Sequence, residues 1–267
     1  MAVDIIVTGA LGRMGQEIAR IACADESCGL SGATEAPGCE SLGRDIGELV
    51  GCGAIGAPLV DAFDKLDIDN AVIIDFTAPQ ATMQMLSAIE HTRAAAVIGT
   101  TGLDDSQRQR VERAAQTRPI LMSPNMGLGV NILFYLVNLA ARRLASRFDI
   151  EIVEAHHRMK KDAPSGTARR LGEIVADALG LSYDEAIVDG RSGMVGQRPD
   201  GQVGMHAVRG GDIVGDHTVL FAGPGERIEL KHVAHSRSTF AQGAVEAAKW
   251  LSGKPSGLYS MQDMLDL

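Results

Sequence analysis

The chain has 267 residues, 45% of them hydrophobic and 22% charged, with 31 glycines and only 9 prolines, a composition that fits an ordinary globular protein and excludes a disordered, collagenous or coiled-coil chain. With 25 Lys and Arg against 34 Asp and Glu, the formal net charge is −9. That balance argues against nucleic acid or an anionic membrane as partner, so any anionic ligand has to be held by a local basic cluster.

The first half alternates short apolar runs with helical patterns. Strands are predicted over residues 4–8, 30–35, 71–75, 95–98 and 119–122, with an amphipathic helix over 12–24 and segments long enough for helices between the others. Continuous Val/Ile runs interleaved with helices indicate a parallel sheet covered on both faces, as in a doubly wound nucleotide-binding domain. Cys23, Cys28, Cys39 and Cys52 precede the first histidine, His91, and contain no Cys-x-x-Cys pair. They are expected to be reduced packing residues, and no metal is expected. No basic leader follows Met1, and no uncharged apolar run approaches the roughly 20 residues of a membrane span. A cytoplasmic protein with no membrane contact is expected.

After Gly129 the pattern changes. A helix is predicted over 130–148, then a half-buried strand over 149–154 in which acidic and apolar residues alternate, then a helix over 165–179. Residues 186–202 have turn composition without clear periodicity, and a loop of that length is usually functional or reaches a neighbour. Strand-like runs at 203–209, 213–222 and 227–235 predict a meander, and a last helix over 239–251 ends at Gly253 and Pro255. The expected fold class is therefore α/β. An N-terminal Rossmann-like doubly wound parallel sheet is joined to a smaller C-terminal α+β domain on a mostly antiparallel or mixed sheet. The expected boundaries are 1–128 plus about 239–267 for the first domain and 129–238 for the second.

Two segments carry chemistry. Gly9, Gly12 and Gly15 stand at the junction of a predicted strand and helix, where the backbone can approach a pyrophosphate and the helix N-terminus offers unpaired N–H groups. Glu35 follows about 20 residues after the last of them, where a carboxylate accepts from ribose hydroxyls. Its charge disfavours a 2′-phosphate and Ala36 offers no compensating cation, although Arg13 could reach one, so NADH is expected to be preferred with NADPH tolerated. Asp75-Phe76-Thr77, Gly99-Thr100-Thr101-Gly102 and Ser123-Pro124-Asn125-Met126 stand at equivalent strand ends and are expected to line the nicotinamide end of the same crevice.

The second segment runs from Glu154 to Thr167. Five of the six residues from His156 to Lys161 are potential cations, and the run ends at Pro164-Ser165-Gly166-Thr167, which starts a helix. Ser165 is expected to be the N-cap, not a nucleophile, and the amides near Gly166 and Thr167 to form an anion site beside the lysines. Adjacent histidines on extended chain point to opposite sides, so His156 and His157 are not expected to share a metal. As acid–base groups, His can titrate near neutrality, and Lys can where neighbouring cations or burial lower its pKa. His91, His206, His217, His232 and His235 are expected to be satisfied structural or surface groups.

These residues resemble the dihydrodipicolinate reductase family of bacterial and plant lysine biosynthesis. The resemblance runs essentially end to end. It is carried by residues 9–15 (GALGRMG), 74–77 (IDFT), 97–102 (VIGTTG) and above all 154–168 (EAHHRMKKDAPSGTA), with 209–217 (RGGDIVGDH) and 236–241 (SRSTFA) in support. It implies that NAD(P)H lies on Gly9, Ala10, Leu11, Gly12, Arg13, Met14 and Glu35, with Gly99, Thr100, Thr101, Ser123, Pro124, Asn125 and Met126 at the nicotinamide. It further implies His156 as proton donor/acceptor, Lys160 as proton donor, and His157, Lys160, Ser165, Gly166 and Thr167 on the carboxylates of a small dicarboxylate substrate. The implied reaction is hydride transfer to a cyclic imine with loss of water, giving tetrahydrodipicolinate. The family is typically a homotetramer, assembled through the second domain's sheet and a long loop.

Two positions depart from the family pattern: Ala36 replaces an arginine common in NADPH-using members, and Met159 replaces a frequent histidine. An aldehyde dehydrogenase of similar architecture would need a nucleophilic cysteine at the nicotinamide, and none follows Cys52. A non-catalytic NAD(P)H-sensing module of the same fold is the alternative function.

Overall fold

The computed structural model describes residues 2–267, and the chain divides into two compact units. One consists of the chain up to Leu128 together with Ser238–Leu267; the other is Gly129–Arg237.

The first unit opens with β1 (Val3–Thr8), α1 (Arg13–Ala24), β2 (Cys28–Thr34), α2 (Ile46–Val50) and β3 (Leu59–Val60). It continues with a 3-10 turn at Phe63–Lys65, β4 (Val72–Asp75), α3 (Pro79–Ala88), β5 (Ala95–Ile98), α4 (Asp105–Ala115) and β6 (Pro119–Met122). Every residue of β4 and β5 is buried, which requires helices on both faces of the sheet. Alternate side chains serve the two layers: Ile5, Val7, Ile74 and Val97 enter one apolar cluster, and Ile6, Ile73, Ala96 and Ile98 enter the other. Each such isoleucine contributes about 1.5–3 kcal/mol of burial. In α1, Gly15, Ile18, Ala19 and Ala22 recur at helical spacing and form its buried face.

The second unit takes in α5 (Leu128–Leu144) from its second residue and continues through β7 (Asp149–His156), α6 (Gly166–Leu179), α7 (Tyr183–Ala186) and β8 (Ile187–Asp189). It closes with β9 (Val203–Arg209), β10 (Gly215–Gly223) and β11 (Glu226–Ala234). The sheet order is β11-β10-β7-β9-β8, with β7 parallel to β9 and antiparallel to β10. The expected meander is thus corrected: β10 and β11 form a hairpin, but β9 and β10 are separated by β7. Residues 210–214 cross the end of β7, where Gly210 N–H donates to His156 C=O at 3.0 Å and Arg158 N–H donates to Gly211 C=O at 3.1 Å. Inserted there, β7 pairs with β10 over Asp149–Ala155 and with β9 over Ile150–His156, so its interior backbone groups are engaged on both sides. The expected loop over 186–202 is also shorter than predicted, because Ile187–Asp189 adds an edge strand beside β9.

The chain then returns to the first unit as α8 (Ser238–Leu251), β12 (Gly257–Tyr259) and α9 (Met261–Met264). The completed parallel sheet runs β12-β6-β5-β4-β1-β2-β3, and α8 covers one face with small buried residues such as Ala241, Ala244 and Ala248. All four cysteines are free; Cys23, Cys28 and Cys39 are half-buried, but Cys52 is exposed and so is not the packing residue expected. Burial, with the neighbouring Cys52 sulfur, pushes the Cys23 thiol up to about 12. Among the described residues no helix is long and apolar enough to cross a membrane.

Candidate active site

In the first unit the chain leaves β1 at Thr8 and enters α1 through a four-residue turn. Gly9 has φ +59°, and a Cβ on Gly15 would lie 2.2 Å from the Gly9 carbonyl oxygen, so neither position accepts a side chain without moving the turn. Gly12 caps α1 with no side-chain hydrogen bond, which leaves first-turn amides for an anion. Glu35, just past β2, folds over this turn: its Oε2 accepts from Leu11 N–H at 3.0 Å and its Oε1 from Ala36 N–H at 2.9 Å. Ala10 is buried, Met14 is half-buried against the core, and Arg13 is exposed. A glycine-rich turn ending at a carboxylate fits the pyrophosphate and ribose of a dinucleotide.

The neighbouring strand ends are tied together by Asp75, which is fully buried. Its Oδ1 accepts from Thr8 and Thr77, each at 2.6 Å, and its Oδ2 from Thr82 at 2.5 Å and Thr100 at 3.1 Å. Thr77 N–H donates to Thr100 Oγ1 at 3.0 Å, and Gly99 N–H donates to Asp75 C=O at 2.8 Å. Gly99 faces the Phe76 ring, while Thr101 is exposed. Beyond β6, Ser123 Oγ donates to Asn125 C=O at 2.8 Å and Asn125 Oδ1 accepts from Gly127 N–H at 3.0 Å; Pro124 is exposed and Met126 buried. Residues 9–14, Glu35, 99–101 and 123–126 therefore lie at the carboxyl ends of parallel strands, around the β1/β4 junction where strand order reverses.

In the second unit Ile150, Ile152, Glu154 and His156 share the buried face of β7. His156 Nδ1 lies 2.6 Å from Glu154 Oε2, and Ser165 N–H donates to Glu154 Oε1 at 3.1 Å. Arg209 donates one terminal nitrogen to each oxygen, both at 2.8 Å. Burial opposes ionisation of Glu154, but Arg209, His156 and the Ser165 amide together hold its carboxyl below the usual range. Burial lowers the His156 pKa, and Lys160 and Arg209 reinforce this against the pull of Glu154.

Ser165 caps α6 as expected, its Oγ accepting from Ala168 N–H at 3.2 Å, and the helical ladder starts at Arg169 N–H on Ser165 C=O at 2.8 Å. The amides of Gly166 and Thr167 stand ahead of that ladder, and a Cβ on Gly166 would meet nothing. Lys160 is mostly buried and pairs with Asp162 at 2.9 Å; His157 Nε2 lies 3.5 Å from Arg237. Ser165 Oγ also lies 3.1 Å from Nε2 of His217, whose ring meets His156 edge-on at 5.2 Å. The second unit thus gathers His156, His217, Ser165, Gly166 and Thr167 around one helix N-terminus with Lys160 near His156, whereas His157 is turned to Arg237. A cation, two imidazoles and a helix dipole there suit a carboxylate-bearing substrate.

The family model described as dihydrodipicolinate reductase, N-terminus, matches residues 3–126, and that for the C-terminus matches residues 129–265. The chain belongs to the dihydrodipicolinate reductase family. A protein named 4-hydroxy-tetrahydrodipicolinate reductase from Syntrophotalea carbinolica is 48% identical over 265 residues, covering 99% of each chain. One of the same name from Thiobacillus denitrificans is 47% identical over 267 residues, covering 100% of each. Among solved structures, the dipicolinate-bound dihydrodipicolinate reductase from Paenisporosarcina sp. TG-14 shares the fold, with a TM-score of 0.77 at 23% identity over 98% of this chain and 99% of that one.

Three residues around His156 escaped the sequence reading. Glu154 and His156 continue the buried face begun by Ile150 and Ile152, so period-2 counting along β7 would have put a carboxylate in the core. Arg209 and His217 reach the same place only through pairing of β9 and β10 with β7. His217 departs from the satisfied group expected: it is buried, and its Nδ1 has no partner among the described residues, as is also true of His232 Nδ1.

Proposed function

We infer that this chain reduces 4-hydroxy-tetrahydrodipicolinate to tetrahydrodipicolinate in lysine and diaminopimelate biosynthesis. The observation that carries the reading is the β7–α6 segment: a buried His156, held by Glu154, beside Lys160 and the N-terminus of α6, in a chain related over its whole length to enzymes of that name. Residues 9–14 and Glu35 would hold the pyrophosphate and ribose of a nicotinamide dinucleotide, and 99–101 with 123–126 its nicotinamide end. When bound, the reduced nicotinamide supplies the hydride.

The chain's own groups do the rest. The substrate's carboxylates rest on Gly166 and Thr167 amides, His157, Lys160 and Ser165. Reduction consumes one hydride and one proton and releases one water; Lys160 donates the proton, and His156 gives and takes protons at the ring. Glu35 facing the ribose with Ala36 beside it supports NADH over NADPH. The domain carrying residues 129–238 is the substrate and assembly domain, the enzyme works as a homotetramer, and it resides in the cytoplasm; sedimentation at micromolar concentration tests the assembly.

A coupled assay tests the function: a synthase makes the substrate from pyruvate and aspartate semialdehyde while absorbance of the reduced nicotinamide is followed. Synthase-dependent oxidation is expected, and Lys160→Ala should collapse kcat with NADH affinity nearly intact. Binding of NADH without any oxidation would instead favour the sensing module.

A further inference from the structure

Glu154 is saturated in a way that dictates the state of its neighbour. An ionised carboxylate is acceptor-only, with about four lone-pair sites. Here Oε1 takes Ser165 N–H and one Arg209 nitrogen, and Oε2 takes the other Arg209 nitrogen and His156 Nδ1. The side chain is fully buried, so no water competes for those positions. Nδ1 of His156 must therefore be the nitrogen that carries the hydrogen. Its Nε2 has no hydrogen-bond partner among the described residues, and it faces Gly215, where a Cβ would come within 3.1 Å of it.

From this geometry we infer that Glu154, locked by Arg209, is a positioning residue: it holds His156 in the Nδ1–H tautomer and makes Nε2 the atom that exchanges a proton during reduction. The inference rests on the reductase reading for the reaction, though not for the tautomer. Arg209 sets the ionisation of Glu154 and its rotamer together, since a two-pronged grip leaves the carboxylate plane one orientation. The charged or titratable groups facing His156 are Glu154 on its own strand, Arg209 on β9, His217 on β10 and Lys160 in the following loop. None of the other three supplies an acceptor to Nδ1.

Glu154→Gln makes the test sharp. An amide offers acceptors on one atom only, so two of the four donors must face its NH2. Of the four, only His156 Nδ1 can turn acceptor, by moving its hydrogen to Nε2. The wrong tautomer then occupies the site, as when the carboxylate of a catalytic triad is replaced by its amide.

Nitrogen-15 NMR of histidine-labelled wild type near pH 7.5, with the His156 signals assigned by their loss in His156→Asn, is expected to show protonated Nδ1 and unprotonated Nε2. In Glu154→Gln the hydrogen should move to Nε2, with kcat reduced roughly 10²–10⁴-fold and the KM for NADH unchanged within about twofold. A wild-type Nε2–H tautomer overturns the inference whether or not the variant folds. So does a variant whose tautomer moves with kcat intact, or whose kcat falls with the tautomer unmoved. If wild type shows the expected tautomer but oxidises no cofactor in the coupled assay, the reductase reading fails with the proton-exchange assignment, and the Glu154 lock alone stands.

Discussion

Arg191 grips Glu151 through both terminal nitrogens, at 2.9 and 2.8 Å, and so pins the start of the 190–202 loop to the first half of β7. Arg198 does the same for its far end, with Nε 3.1 Å from Glu151 Oε1, and His206 closes the ring at 2.7 Å. Between the anchors Met194 and Val195 stand exposed. Burial alone would raise the Glu151 carboxyl; Arg191, His206 and Arg198 outweigh it and draw the group down to about 2. A carboxylate depressed in the folded state stabilises above its unfolded pKa, about 4.3, and that contribution is lost as pH falls towards 2. Arg198→Gln should therefore weaken the protein by about 1–2 kcal/mol at pH 7, given the partial exposure of the pair, and the deficit should shrink below pH 4. Hydrogen exchange should rise over 190–202 and not over β7. An unchanged loop would mean the anchors are ornamental.

His217 provides a second pH slope of opposite chemistry and equal sign. Burial, aided by the nearby His156, lowers its pKa to about 3, against about 6.5 for an unfolded histidine. Between those values the unfolded chain binds the extra proton, so stability falls as pH drops from 6.5 towards 3, by up to about 1.4 kcal/mol per pH unit. His217→Asn should flatten that slope. Chemical denaturation at pH 7, 6 and 5 checks it, and a parallel slope in wild type and variant would assign the pH response elsewhere.

How much of this was legible follows from which contacts are local. The strands of the first unit could be read because Val72–Ile74 and Ala95–Ile98 are apolar without interruption, and the glycine turn because it sits on a strand–helix junction. The Ser165 cap was legible because a cap bonds three residues along its own chain. The second sheet was not: β7 inserts between β9 and β10 through pairings more than fifty residues apart in sequence, such as His156 with Arg209. Arg209 was hidden for the same reason, since it is local to Glu154 in space alone.

Asp75 makes a parallel case in the first unit. Hydroxyls of Thr8, Thr77, Thr82 and Thr100, from β1, the β4 end, α3 and the β5 end, converge on one buried carboxylate. Hydrogen bonds to a charged acceptor contribute about 1.5–3 kcal/mol each. Asp75→Ala should cost roughly 2–4 kcal/mol, because some hydroxyls turn to backbone carbonyls such as Ile74 and Ala78. Thr82→Val, which removes one donor, should cost about 1–2 kcal/mol. Calorimetric titration of NADH into Asp75→Asn should show weaker binding, since the 99–101 turn hangs on Thr100. Full affinity in that variant would separate the hub from the cofactor site.

Cofactor choice turns on Glu35 and Ala36. Glu35 keeps its carboxylate over the glycine turn by accepting from Leu11 N–H and Ala36 N–H, so a 2′-phosphate held there would meet a fixed negative charge. The exposed Ala36 brings no cation, and Arg13 is the first residue of α1. NADH is thus expected to give the higher kcat/KM. Ala36→Arg should raise kcat/KM for NADPH roughly tenfold, equivalent to about 1.4 kcal/mol, because an arginine pairs with phosphate through its planar fork. Glu35→Ala should lower NADH affinity as well, by freeing the Leu11 amide and loosening the turn. Steady-state kinetics with both cofactors decides the matter: a wild type that prefers NADPH would place the 2′-phosphate on Arg13 and remove Glu35 from the selection.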